Sequence, residues 1–244
     1  GGMPHGAGLV AALQAGAVAL LWKQSGARTL GLVVALAIVC RVGAWAWPTD
    51  LSSDIYRYVW DGRVQLAGHS PYGAPPGAES LASLRDDAIW PRINRKEVLT
   101  VYPPGAQLLF AKLSLLGLRS VPSVKAAAIL AELVGMLLLA VALHRRGIAL
   151  GRLAIYAWSP LVVAEVGVSG HLDAFVLPLL MLALLAADRG ARVACGLLLG
   201  LATLMKLYPL LLFAAVPREQ RWRALGAAGV LVLLWGGAPH SYNQ

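Results

Sequence analysis

The chain is apolar in seven runs, at about 7–22, 29–47, 122–143, 153–168, 172–187, 193–216 and 224–236, with short basic clusters between them. That alternation constrains the fold more than any motif does. A helix needs ~20 apolar residues to cross a bilayer core, within a range of ~17–25. Several runs fall short of this, as helices do when they end inside a protein cavity. Composition agrees: 58% of residues are AVILMFWYC and 14% are charged, where soluble domains carry about 25% charged residues. This excludes a soluble domain, a disordered chain and a disulfide scaffold. The net charge of +9 is split into clusters between apolar runs, the pattern of cytoplasmic loops in membrane proteins rather than of a nucleic-acid surface. Nucleic acid is not an expected partner; the lipid bilayer is. Cys40 and Cys195 lie inside apolar runs and read as small hydrophobes. The expected fold class is all-α, a polytopic integral membrane protein forming one transmembrane domain over 1–244. The first run lacks a basic leader and a small-residue cleavage site, so it is not read as a signal peptide. The Gly1-Gly2 start and the end at Gln244 read as those of a fragment or trimmed chain.

Four basic clusters orient the chain: Lys23 with Arg28; His144, Arg145, Arg146 and Arg152; Arg189 with Arg192; and Arg218, Arg221 and Arg223. All four are expected on the cytoplasmic side. Segment 48–100 differs, because it holds seven of the chain's twelve carboxylates. It is expected outside, within an outer loop of about 48–121. The run 101–118 starts outside, and 122–143 makes the next crossing alone. So 101–118 is expected to lie in the interface, not to cross. The run 193–216 has basic clusters on both flanks, which predicts a re-entrant pair. Its midpoint, Lys206-Leu207-Tyr208-Pro209, places a charge and a helix breaker at the turn. A single ordinary span is the alternative.

Loops beyond ~12–15 residues usually have a task. This one opens Ser53-Asp54-Ile55-Tyr56-Arg57 and runs to Gly68. Ser53 is a good N-cap and Gly68 a good C-terminal stop. Ile55, Val59, Gly62 and Leu66 form one helical stripe. Asp54 and Asp61 lie two turns apart, so they share a face with Arg57 between them. The expectation is an amphipathic surface helix, whose polar face is either a site or a solvated surface with ordinary i, i+4 pairs.

The strings SSDIYRYVWDGRVQLAGHSPY (from Ser52), IWPRIN (from Ile89), VYPPGAQLLFA (from Val101), YAWSPLVVAEVGVSGHLDA (from Tyr156) and LLLGLATLMKLYPLLL (from Leu197) follow in this order. Together they resemble the bacterial GT-C glycosyltransferases, in particular the polyprenyl-phosphomannose-dependent alpha-1,6-mannosyltransferases. Ser159 and Leu172 stand where that group's usual pattern has Asn. The resemblance implies a GT-C-like helical bundle in the bacterial plasma membrane, with the active site on the outer face. It implies a polyprenyl-phosphate sugar donor, a glycan or glycolipid acceptor, and transfer of a hexose, mannose foremost, with inversion. The family's catalytic base falls on Asp54. Tyr102 and Tyr208, in the VYPP and KLYP strings, join Arg57 and Asp61 as expected binding residues.

An ionisable residue in the membrane costs ~2.5–3.5 kcal/mol at the midplane. Lys206 either snorkels or faces the donor phosphate. His171 and Asp173 either line the sugar or phosphate pocket or, in the case of Asp173, cap the next helix. Glu132 is mid-run with no obvious partner. No cofactor is expected and no residue is assigned to a metal, because no histidine has ligand spacing. Some GT-C relatives use a divalent ion, so Asp54 with Asp61 is a candidate pair for one. The competing class is a transporter or lipid flippase without chemistry, which also tolerates broken helices and buried charge.

Overall fold

The computed structural model describes residues 4–49, 51–215 and 229. The described residues are helical with no strands: α1 (Pro4–Leu21), α2 (Ala27–Ala46), α3 (Asp54–Leu66), α4 (Pro104–Leu115), α5 (Val121–Arg145), the short α6 (Ala154–Ala157) and α7 (Pro160–Val162), α8 (Asp173–Asp188) and α9 (Arg192–Met205). Two of them, α2 and α5, are long and apolar enough to cross a membrane. At 1.5 Å per residue, 20 and 25 residues give about 30 and 37 Å, enough for a ~30 Å core.

The other runs depart from simple spans. Run 153–168 is broken: a 3-10 turn, Leu150–Leu153, leads into α6, the chain turns at Trp158-Ser159, and α7 passes into a π-helical stretch, Val163–Val168. Pro160 explains the break, since a residue before proline is pushed out of the helical region, and Ser159 is extended. Run 172–187 becomes α8, with Pro178 inside it. Run 193–216 is α9 for its first half; the helix stops at Lys206, whose backbone is extended, and a 3-10 segment, Tyr208–Ala215, follows. The break falls where the re-entrant reading needs a turn. The run 224–236, the cluster Arg218, Arg221 and Arg223, and the end of the proposed return arm lie outside the described residues.

Three basic clusters gather at one end of the bundle. Leu150 donates its N–H to Ser25 Oγ at 3.3 Å and Gly151 donates to the Gln24 carbonyl at 2.9 Å. Arg146 pairs with Asp188 at 2.6 Å, tying the end of α5 to that of α8. The opposite end carries α3, α4 and the loop between them. There Lys125, in the second turn of α5, donates to the carbonyls of Trp45 and Trp47 at 2.9 Å each and so caps α2 with a cation.

In the last third of α2 and the middle of α5, Arg41 and Glu132 are both fully buried. Arg41 Nη2 and Nε donate to the two carboxylate oxygens at 2.8 and 3.0 Å, and Nη1 donates to the Ala157 carbonyl. The partner that Glu132 lacks in the sequence is therefore an arginine 91 residues away. The pair pins the two long helices and the broken segment together.

The helix α3 is not the one-sided surface helix expected. Its stripe residues Ile55, Val59 and Gly62 are buried, but so are Tyr56, Arg57, Tyr58, Trp60 and Asp61. The covering element is α4, which lies so close that a Cβ on Gly62 would clash with the Phe110 carbonyl and Ser114 Oγ. At twelve residues, about 18 Å, α4 is too short to cross. The loop between α3 and α4 adds Leu81, Ile89 and Ile93 to the same core. The helix ends as its sequence predicts: Gly68, at φ +82°, closes a Schellman motif through Gly68 N–H to Gln65 O and His69 N–H to Val64 O. Its start differs. Ser53 occupies the cap position without a side-chain bond, and Ser52 Oγ accepts from the Asp54 N–H at 3.3 Å.

Candidate active site

A cleft of about 360 Å³ opens at the N-terminus of α3, lined by Asp54, Arg57, Asn94, Arg95 and Tyr102 together with Val98, Leu99 and Val101. Three expected site residues, Asp54, Arg57 and Tyr102, thus meet in one cavity. Asp54 is only partly buried, and one side chain is bonded to its carboxylate: Asn94 Nδ2 donates to Oδ1 at 3.3 Å. It therefore has lone pairs available and sits where the helix dipole favours an anion. Arg95 is exposed and holds a left-handed backbone, φ 47°, a conformation that costs about 1–3 kcal/mol and clusters at functional sites.

Asp61 lies behind the cleft with a different environment. It is 1% exposed. Arg57 Nε donates to Oδ1 at 2.7 Å, while Thr100 Oγ1 and Gln107 Nε2 each donate to Oδ2 at 2.7 Å. Burial pushes its carboxyl above the usual value of 3.8, and the Arg57 guanidinium with the two neutral donors pulls back only part of that rise. Arg57 also donates from Nη1 to the Val98 carbonyl at 3.1 Å, which fixes the cleft wall. Sequence reasoning missed Thr100 and Gln107. Gln107 left a signal as the lone polar side chain in the apolar run 105–111. With both Asp61 oxygens engaged, Asp54 and Asp61 do not fit as a divalent-ion pair. Among the described residues no group of three or more His, Cys, Asp or Glu is arranged to hold a metal.

Aromatic packing holds the cleft in shape. Tyr58 stacks on Phe110 at 4.7 Å, and Tyr102 meets both rings edge-on at 5.1 and 5.5 Å. Tyr72 donates its hydroxyl to the Tyr102 carbonyl at 2.7 Å. Burial raises the Tyr58 and Tyr102 hydroxyls well above the usual phenol value, with the nearby Asp54 charge adding to it, and lifts Tyr72 to about 12. These hydroxyls stay neutral and act as hydrogen-bonding groups.

The remaining expected residues form a neighbouring cluster. Gly170, at φ +66°, lets the 169–172 turn settle on α3: a Cβ there would lie 2.6 Å from Ile55 Cδ1. Leu172 is buried in the same core cluster as Tyr58, with Tyr102 packed against it, which connects this turn to the cleft. Asp173 Oδ2 pairs with Lys206 Nζ at 3.1 Å, and Tyr208 lies close to Asp173. So Lys206 neither snorkels alone nor stands unpaired. His171 Nδ1 pairs with Glu165 on the π-helical stretch, while its Nε2 is buried. Glu165 was not legible as a partner, because only the π-helical winding and the tight turn after it bring position 165 back to 171. On the other side, Gly105 backs onto Leu204 at a separation that admits no side chain, so the start of α4 meets the end of α9 just before Lys206. His171, Asp173, Lys206 and Tyr208 are not among the residues lining the Asp54 cleft.

A family model described as glycosyltransferase family 87 matches residues 100–242, more than half of the chain. The chain belongs to glycosyltransferase family 87. Comparison with curated proteins and with solved structures found no match. Family 87 membership makes the chain a membrane-associated sugar transferase, with a donor and an acceptor substrate. The matched segment includes Tyr102, Gln107, Glu165, His171, Asp173, Lys206 and Tyr208. It begins after α3, so Asp54, Arg57 and Asp61 are tied to it through the cleft's geometry and not through the match.

Proposed function

We propose that this family 87 protein is a GT-C-type enzyme that moves a hexose, mannose foremost, from a polyprenyl phosphate to a glycan or lipid-linked acceptor with inversion, on the outer face of a bacterial plasma membrane. The observation that carries the reading is the contrast at α3. Asp54 faces a cavity with a single side-chain bond, one turn from a guanidinium that is itself paired with Asp61 rather than with Asp54. A general base needs such an open carboxylate within reach of the acceptor hydroxyl. In the proposed step Asp54 takes the hydroxyl proton as the acceptor oxygen bonds to the anomeric carbon. The bond from that carbon to the phosphate oxygen breaks on the opposite side, and the polyprenyl phosphate leaves with the electron pair. Cations meet the departing charge: Arg57 and Arg95 in the cleft, and Lys206 if the donor reaches the adjacent cluster. Preorganised charge of this kind is often the largest catalytic contribution.

The placement of the cleft opposite three basic clusters supports an outer active site under the positive-inside rule. Impermeant thiol labelling tests it: Ser80→Cys should react from outside and His144→Cys should not, and the reverse pattern overturns it. The chemistry is tested with the purified protein in vesicles, polyprenyl-phosphate mannose labelled in the sugar, and a membrane extract as acceptor. Label should move to the extract, and Asp54→Asn should lower the rate by ~10²–10⁴-fold. Near wild-type turnover by that variant would remove Asp54 as the base. Membership in a transferase family weighs against the transporter or flippase reading.

A further inference from the structure

A second cavity lies at the other end of the bundle, between the start of α2 and the last two turns of α5. It measures about 560 Å³ and is lined by Leu30 from α2, by Leu137, Ala140 and Val141 from α5, and by His144 and Arg145 at its rim. Its walls belong to the two helices long enough to cross a bilayer. Leu137 and Val141 are 46% and 42% exposed, so the groove has an open apolar wall along α5. The rim is cationic. Lys23, Arg28, His144 and Arg145 are exposed at this end. Among the described residues, Asp188 is the carboxylate here, and Arg146 already holds it. Arg145 has no ion pair among the described residues.

We propose that this groove binds one anionic phospholipid, with an acyl chain along Leu30, Leu137, Ala140 and Val141 and its phosphate against Arg145 and His144. Charge complementarity selects the occupant. A zwitterionic headgroup carries its own cation and leaves the rim uncompensated, and a free phosphate makes no use of the apolar wall. Basic pockets between spanning helices bind anionic headgroups on the cytoplasmic side in this way. The site is remote from the Asp54 cleft, and its failure would not touch the reading of that cleft.

The test is native mass spectrometry of the full chain in detergent, with phosphatidylglycerol or phosphatidylcholine added. The wild type should retain one phosphatidylglycerol in preference to phosphatidylcholine by about fivefold or more, the contribution of one basic residue beside a lipid phosphate. Arg145→Gln should lose the preference, Arg145→Lys should keep most of it, and Val141→Trp should lose retention of both lipids by filling the groove. Sugar transfer by Arg145→Gln should equal that of the wild type, which shows that the variant is folded. Equal retention of the two lipids by the wild type overturns the proposal, as does an unchanged preference in Arg145→Gln. Retention of polyprenyl phosphate in place of phosphatidylglycerol, abolished by Val141→Trp, also overturns it and gives the groove to the donor.

Discussion

The two buried arginine–carboxylate pairs of this protein look alike and sit in opposite settings. Arg41–Glu132 joins α2 to α5, with both side chains fully buried and both carboxylate oxygens on the guanidinium. Arg57–Asp61 is a pair within one helix, one side of which forms the cleft wall beside Asp54. A saturated, dry pair holds elements together and has no lone pair to offer a substrate. A partly buried carboxylate with one weak bond, Asp54, can accept a proton. Asp61 stands between these cases: it is saturated like Glu132, yet what it holds is a cleft residue.

The strongest way to break this contrast is to exchange the readouts. Asp54→Asn should lose ~10²–10⁴-fold in transfer rate with an unchanged melting temperature. Glu132→Gln should do the reverse, because it leaves Arg41 charged and unpaired in the core. Breaking a buried pair costs about 3–5 kcal/mol, to be read by chemical or thermal unfolding. A stable but inactive Glu132→Gln would place that residue in the chemistry and end the distinction.

Lys206→Met sharpens the role of the neighbouring cluster. A lost charge-assisted contact of about 1.5–3 kcal/mol should weaken donor use by about 10- to 100-fold while the protein stays folded. If donor use is unchanged, the lysine serves only its pair with Asp173.

Asp61→Asn should cost about tenfold in rate, less than the ~100-fold of an ångström's misplacement, since it loosens Arg57 without touching the base. It should also change the pH dependence of stability. Burial holds the Asp61 carboxyl above 3.8 in the folded protein, so the native state keeps a proton that the unfolded state has released. That contribution is present at low pH and is lost as pH rises through the folded value. The asparagine variant should lack this downward slope, which unfolding curves across acid pH will show.

The smallest effect concerns Asp86, in the loop between α3 and α4. Burial alone would raise its carboxyl, but the Arg63 guanidinium at 2.6 Å and the N–H groups of Ile89 and Trp90 hold it below the ordinary value. A depressed carboxyl stabilises the fold above the unfolded value, and this is lost as pH falls through the folded one. Asp86→Asn should be slightly less stable than wild type at neutral pH, and the difference should vanish in acid.

The all-helical fold and the end of α3 are legible in the amino-acid order, since they follow from the length of the apolar runs and from one glycine, both local properties. Asp54, Arg57 and Asp61 also fall on one helix by their spacing, and the break at Lys206 is marked by a buried charge followed three residues later by Pro209, which cannot continue a helix. The partners of the buried charges are not legible in the same way and depend on how the chain folds back on itself. Arg41 finds Glu132 across 91 residues, Thr100 and Gln107 close on Asp61 from another element, and Glu165 meets His171 through a π-helical turn. A periodic pattern shows which face of a helix is apolar, but not what covers the polar one. Here α4 covers it, so the same three charged residues that read as a surface stripe became one open carboxylate and one sealed pair.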